Sequence, residues 1–203
     1  EYWGFLCVFY LETRFYTTIG NNCQIVELPN CQITIFACNM SNYFIAGIQQ
    51  VGIGVPNVHD GFKWYRQHFG MDIPIFEEAA EANLMLPYTG GKPHKRHAIL
   101  AINLKGGGGF EIWQYTSRTP QPATFQAHLG DLGLFVAKIK SEDIQSSYDF
   151  LKGKGVEMLS GVVTSPNNEK HFFIKDLYGN IFEIVEGKDW FGKGLKTTGG
   201  PVG

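Results

Sequence analysis

Two glutamates interrupt apolar stretches of the sequence and are the first candidates for chemistry. Glu111 stands in the aromatic-rich segment 110–115, and Glu183 lies between Phe182 and Ile184. A carboxylate held among apolar side chains can bind a hard metal ion or move a proton. The alternative for each is an outward-facing position in a strand, without a role in chemistry.

A basic cluster lies in the segment between two predicted strands. It consists of His94, Lys95, Arg96 and His97, directly after the glycine- and proline-containing stretch 89–93. Such a loop could cover a cleft and receive an anionic group of a substrate. A solvated basic loop is the alternative, because charged runs usually face water.

The first half of the chain contains a strand, a helix and three further strands. The segment around Gln50 alternates apolar residues with glycine and glutamine, which predicts a strand that has Gln50 on its bare face. Asn57 is a good N-cap, and Gly70 ends the helix that follows. His59 and His68 lie on this helix and are expected to face solvent. The predicted strands of this half are 48–55, 73–76, 98–104 and 110–115.

The second half repeats the same order of elements. Asp143 can cap a helix, which Gly153 and Gly155 stop. The residues 176–180, with Gly179 available for positive φ, predict a tight turn between the last two strands. Because each half is too small to bury a core alone, we expect one α+β domain of two tandem βαβββ units. The predicted strands of this half are 132–139, 162–163, 171–175 and 181–185.

The composition is that of an ordinary globular protein. The 203 residues are 44% hydrophobic and 18% charged, which excludes wholesale disorder. The formal net charge is −2 and no basic block occurs, so we expect no nucleic-acid partner. No apolar run approaches the roughly 20 residues of a membrane span, so we expect no membrane partner either.

The composition changes at Met40, the first methionine of the sequence. All four cysteines precede Met40, and no lysine occurs before Lys63. Residues 1–39 are therefore either a small cysteine-bearing extension or upstream sequence translated in frame, with Met40 as the natural start. The remainder contains no cysteine, which is compatible with the expected cytoplasmic location. The glycine-rich residues 191–203 are expected to form a tail or a linker.

Three segments of the sequence resemble one family. They are 47–57 (GIQQVGIGVPN), 62–71 (FKWYRQHFGM) and 175–184 (KDLYGNIFEI). The last is similar to a D-P-x-G-N-x-x-E signature, with Leu177 in place of the proline. The family is the vicinal oxygen chelate superfamily, which includes glyoxalase I, bleomycin-resistance proteins and extradiol dioxygenases. The resemblance implies a cup-shaped glyoxalase-like domain over 40–190, with units at about 46–116 and 128–188.

The resemblance also implies a divalent metal ion between the two units. Carried over residue by residue, the family's ligand positions fall on Gln50, Glu111 and Glu183. An alignment of the two helices without a gap places Val136 opposite Gln50, and valine cannot bind a metal. Asp131 is the candidate for the fourth ligand, with a turn or a helix cap as its alternative role.

These ligands and the resemblance together imply an activity. Oxygen donors suit Mg²⁺, Mn²⁺ or another hard ion, and the two histidines that an extradiol dioxygenase needs are missing. The resemblance implies a metal-dependent lyase or isomerase of the glyoxalase type. It would act on a small vicinal-oxygen substrate through an enediolate-like intermediate, with Glu183 or Glu111 as the base. The alternative is a metal-free small-molecule-binding protein of the bleomycin-resistance type. A homodimer is compatible with both, because family members commonly complete their cups across an interface.

Overall fold

The computed structural model describes residues 48–131, 133–188, 191–192 and 195–203, and the backbone of three short strands before them. These strands are β1 (Tyr2–Trp3), β2 (Cys23–Val26) and β3 (Ile35–Cys38). Strands β2 and β3 pair antiparallel within a separate compact unit, Phe9–Gly47. Apart from the three strands, the predicted extension 1–39 lies outside the described residues.

The first repeat forms a four-stranded sheet that is covered on one side by a helix. The sheet has the order β4-β7-β6-β5, in which β4 and β7 are parallel and the other pairs are antiparallel. The helix begins as predicted, because the Asn57 side chain accepts hydrogen bonds from the backbone N–H groups of His59 and Asp60. It ends as predicted at Gly70, whose φ of 64° is left-handed. The elements are β4 (Gln50–Gly54), α1 (Val58–Phe69), β5 (Ile73–Glu81), a 3-10 helix (Asn83–Tyr88), β6 (Lys95–Ile102) and β7 (Gly109–Tyr115).

The second repeat forms a five-stranded sheet with one helix. Strands β10, β12, β13 and β9 lie side by side in that order, and β11 also pairs with β12. The predicted α+β class is confirmed. No helix in the described part of the chain is both long and apolar enough to cross a membrane. The remaining elements are β8 (Gln121–Pro122), β9 (Val136–Ser141), α2 (Ile144–Gly153), β10 (Glu157–Met158), β11 (Val163–Thr164), β12 (Lys170–Lys175) and β13 (Ile181–Glu186).

The two repeats contribute to one hydrophobic core. Alternate residues of the strands, such as Ile53 and Ile112, are fully buried on the side of the sheet that carries α1. Phe69 at the end of α1 packs edge-to-face on Phe182 of β13, with ring centroids 4.9 Å apart. The other face of each sheet, which we call the helix-distal face, is therefore the one that remains for a site.

The predicted turn at residues 176–180 connects the two repeats through hydrogen bonds. The Oδ1 atom of Asp176 accepts the backbone N–H groups of Tyr178 and Asn180, each at 2.8 Å. Its Oδ2 atom accepts the Asn180 side-chain amide at 2.7 Å and the Tyr65 hydroxyl of α1 at 2.5 Å. Burial and the Asp176 carboxylate together raise the pKa of Tyr65 well above its usual value. The part of the family-like signature that forms this turn, residues 176–180, is therefore structural.

The last residues of the chain pack against the domain, which differs from the expected tail or linker. Val202 is fully buried, and its carbonyl accepts a hydrogen bond of 3.1 Å from the Asn103 side chain. Gly199 lies so close to α1 that a Cβ atom there would be 2.3 Å from the backbone nitrogen of Gly70. Gly199, one of the glycines that suggested a flexible segment, is thus needed for close packing against the helix end.

Candidate functional site

The register of the first sheet places a group of polar and aromatic side chains on its helix-distal face. Because side chains alternate along a strand, those that alternate with the buried core residues point to this face. Two glycines of β4 leave space beside them: Gly52 is opposite Glu111 and Gly54 is opposite Trp113. The group includes Gln50, Arg96, Glu111, Trp113 and Tyr115, together with Phe76 and Glu78 of β5.

Gln50 and Glu111 are brought together at the centre of this face. The Gln50 Nε2 atom donates a hydrogen bond of 2.8 Å to Glu111 Oε2. Glu111 is only 8% exposed, and this burial raises the pKa of its carboxyl group. The Trp113 indole, the Arg96 guanidinium and the Gln50 amide act in the opposite direction without cancelling the effect of burial. A carboxyl group with a raised pKa is suited to proton transfer near neutral pH.

Trp113 presents a buried donor beside Glu111. Its Nε1 atom meets no acceptor with hydrogen-bond geometry among the described residues. The N–H group is nevertheless close enough to the Glu111 carboxylate to lower the pKa of that group. The Arg96 guanidinium lies 4.7 Å from the centre of the Trp113 ring and forms an ion pair with Glu78. Because an unsatisfied buried donor costs stability, this N–H is suited to meet an acceptor oxygen of a ligand.

Glu183 occupies the corresponding position in the second sheet but has other partners. It is opposite Lys138 of the parallel strand β9, as Glu111 is opposite Gly52 of β4. Its Oε1 atom lies 2.7 Å from His171 Nδ1, and its Oε2 atom lies 3.0 Å from Lys138 Nζ. Both carboxylate oxygens of Glu183 are therefore engaged within the second sheet.

The structure does not bring Asp131 to either glutamate. Asp131 lies in an exposed turn before β9, where its Oδ2 atom accepts the backbone N–H of His128 at 2.7 Å. Its side chain is 53% exposed. Gln50 lies two residues before Gly52, the β4 residue opposite Glu111, and Val136 lies two residues before Lys138, the β9 residue opposite Glu183. Val136 therefore occupies the position in the second sheet that Gln50 occupies in the first. Gln50 and Glu111 are therefore paired on the first sheet, and Glu183 is paired within the second. Asp131 has the turn role that was its alternative.

Several residues of the site were missed or misplaced from sequence. The basic cluster was expected in a loop, but β6 begins at Lys95, so Arg96 points to the helix-distal face and His97 to the helix side. If the predicted strand had been extended upstream from Ala98, its alternation would have assigned Arg96 and His97 to opposite faces of the sheet. His68 was expected to face solvent but is buried, because its ring stacks on Trp64 one helical turn earlier.

The raised pKa of Glu111 leads to a prediction about stability. In the window between its pKa values in the unfolded and folded chains, the folded state binds more protons, so stability falls as pH rises through that window. We expect Glu111→Gln to unfold at a higher temperature than the wild type at neutral pH, and to lose this advantage under mildly acidic conditions. Thermal unfolding at both pH values tests this, with the exposed Glu81→Gln as control. A difference independent of pH would contradict it.

Comparison with known proteins identifies the family. Residues 47–184 match the model of the Glyoxalase/Bleomycin resistance protein/Dioxygenase superfamily. A comparison with curated protein sequences gives no match.

The fold is also that of solved structures. A glyoxalase family protein from Bacillus cereus is 16% identical, with a TM-score of 0.57 over 72% of this chain and 97% of that one. A glyoxalase family protein from Enterococcus faecalis is 20% identical, with a TM-score of 0.51 over 71% of this chain and 100% of that one. Since the family model covers more than half of the sequence, the chain belongs to the Glyoxalase/Bleomycin resistance protein/Dioxygenase superfamily.

Proposed function

We propose that this protein is a metal-dependent lyase or isomerase that moves a proton on a small substrate with two neighbouring oxygens. The observation that carries the proposal is Glu111, a buried carboxyl group with a raised pKa that lies beside Gln50. Substrates of this class carry an acidic C–H next to a carbonyl group. A positioned carboxylate is the usual base for such a proton.

Oxygen donors on the two helix-distal faces fit a hard divalent ion in their chemistry. Gln50 and Glu111 would hold it from the first sheet, and Glu183 from the second once its ion pair with Lys138 opens. Asp131 would join them only after leaving its own turn. When bound, such an ion stabilises negative charge on the two substrate oxygens.

The proton transfer can be assigned to groups of this chain. Glu111 takes the proton from the carbon next to the carbonyl group. The electron pair of that C–H bond forms a C=C bond while the π pair of the carbonyl moves onto its oxygen, which gives an enediolate. The same carboxyl group then returns the proton to the former carbonyl carbon, and the proton of the substrate hydroxyl passes to the other oxygen. The substrate is therefore isomerised without an oxidant or a reductant. The free N–H of Trp113 can donate to a substrate oxygen, and Arg96 can balance an anionic group.

Solvent-deuterium exchange tests this function without knowledge of the product. The full chain, supplied with Mn²⁺, is incubated in D₂O with a panel of α-hydroxyketones and thiohemiacetals of 2-oxoaldehydes, and proton NMR follows the C–H signal. The proposal expects loss of that signal for at least one member. Tight binding of a panel member without exchange would contradict it.

A second function, metal-free binding of a small molecule, is favoured by the partners of Glu183. Lys138 and His171 already engage both of its oxygens, and Val136 stands where the first repeat has Gln50. A protein of this type would bind a ligand on the helix-distal faces without converting it. The two functions differ in whether affinity for the ligand depends on added metal.

Lys138 provides a prediction that is specific to metal binding. Its ammonium group neutralises Glu183 at 3.0 Å and repels a cation, yet 65% of the side chain is exposed. We expect Lys138→Met to raise the affinity for Mn²⁺ by roughly three- to tenfold, since a nearby unit charge acts through a partly screened medium. Calorimetric titration measures this, with the exposed Lys63→Met of α1 as the matched control. Equal affinity in wild type and Lys138→Met would contradict the ligand role of Glu183.

A further inference from the structure

A cluster of metal-binding side chains lies on the helix side of the first sheet, away from Glu111. It combines His59 of α1, Glu77 of β5 and His97 of β6, whose ligand atoms all lie within 4.8 Å of one another. The Glu77 Oε1 atom is 3.0 Å from His97 Nε2 and 3.9 Å from His59 Nε2. Ligand atoms around a tetrahedral zinc ion are roughly 3.3 Å apart, given bonds of about 2.0 Å. The distances from Glu77 to the two histidines lie on either side of that spacing.

The backbone holds these three side chains in place. His97 is opposite Gln114 of β7, and the Gln114 Oε1 atom accepts the backbone N–H of Val58 at 3.0 Å. This bond fixes the start of α1 on the sheet beside His97, and the Asn57 cap fixes the backbone of His59. The ligands thus come from elements that the fold already positions, and only side-chain rotations are needed to close around an ion.

We propose that His59, Glu77 and His97 form a binding site for a divalent transition metal ion of the zinc class. Two imidazole nitrogens and one carboxylate oxygen are a common ligand set for Zn²⁺, and they leave a fourth position for water. The partial exposure of all three side chains gives an ion direct access from solvent. Its function is to fasten the start of α1 to strands β5 and β6.

This site is independent of the proposed active site. His97 and Arg96 are neighbours in β6 and therefore point to opposite faces of the sheet. The oxygen donors on the helix-distal face suit hard ions, whereas the imidazoles of this site suit Zn²⁺. The two sites can therefore be distinguished both by mutation and by the choice of ion.

Zinc titration of single variants tests the site. The full chain, freed of metal with a chelator, is titrated with Zn²⁺ in a calorimeter as wild type, His59→Ala and Glu77→Gln. His94→Ala, a histidine outside the cluster, and Glu111→Gln on the helix-distal face are the controls. The four cysteines are the same in every variant, so any zinc that they take up cancels when the variants are compared. His59 is exposed on the helix surface, so its replacement leaves the fold intact.

We expect His59→Ala and Glu77→Gln, and neither control, to lose one bound zinc ion per chain or to bind it at least about tenfold more weakly. The rise in unfolding temperature that Zn²⁺ gives the wild type should shrink in the same two variants. Unchanged zinc binding by His59→Ala would overturn the proposal. An equal loss in His94→Ala would overturn it as well, and so would a loss confined to Glu111→Gln.

Discussion

Replacing Asp176 by alanine is expected to lower the free energy of unfolding by about 3–5 kcal/mol, since each buried donor left without an acceptor costs about 1–3 kcal/mol. Four hydrogen bonds end on this carboxyl group, from Tyr65, Tyr178 and twice from Asn180. The variant leaves these donors without an acceptor, and the Tyr65 hydroxyl is fully buried. It also removes the polar link between the turn of the second repeat and the helix of the first.

Urea unfolding followed by circular dichroism measures this loss. Leu177→Ala is the matched control, because Leu177 lies in the same turn and is 68% exposed. We expect the control to change stability by less than about 0.5 kcal/mol, as surface substitutions usually do. A similar small effect for Asp176→Ala would show that the turn does not hold the repeats together. In that case the signature would require another role.

Replacing Glu111 by glutamine is expected to reduce deuterium exchange into the substrate by about 10²–10⁴-fold, the usual contribution of a general base. Glutamine has nearly the same shape and can still bond to Gln50, so the fold is retained. The amide cannot accept the substrate proton. The exchange rate of the wild type should fall on acidification at a higher pH than for an ordinary glutamate, because burial raises the pKa of Glu111.

Initial exchange rates by NMR, at saturating substrate and Mn²⁺, test this role. Glu81→Gln is the control, since Glu81 is an exposed carboxylate at the end of β5 in the same sheet. We expect the exchange rate of the Glu81→Gln variant to equal that of the wild type. If Glu111→Gln exchanged at the wild-type rate, the base would have to be another group, with Glu183 the next candidate.

Features that depend on a few neighbouring residues were predictable from the sequence. The helix between Asn57 and Gly70 needed only a cap, an apolar face and a glycine stop, and all three act locally. The turn at 176–180 was equally local. Strand alternation around Gln50 also placed its side chain on the correct face, because period-two patterning fixes which residues are buried.

Features that depend on distant packing were not predictable in the same way. The buried position of Val202 arises from a contact with Asn103, far away in the sequence. The pairing of Glu183 with Lys138 requires β9 to lie beside β13 in a particular register, which no local pattern of either strand determines. The proximity of Glu77 to His97 likewise depends on how β5 pairs with β6.

The four residues predicted as metal ligands illustrate both the local and the distant dependence. Gln50 and Glu111 lie on paired strands and are hydrogen-bonded to each other on one face, as alternation along each strand allows. The position of Asp131 depended on where the strand after it begins. The structure begins β9 at Val136, so Asp131 remains in a turn and bonds to the backbone of His128. Strand ends are the least determined part of any such pattern.

Metal content of the helix-distal site tests the central proposal most directly. Two proteins are compared: the full chain with His59→Ala, which removes the zinc-class site, and the full chain with both His59→Ala and Glu111→Ala. Each is dialysed against Mn²⁺ and analysed for bound metal. Circular dichroism verifies that both are folded. The proposal predicts about one Mn²⁺ per chain in the first and none in the second. No bound Mn²⁺ in either protein would contradict a metal-dependent enzyme and favour the metal-free binding protein.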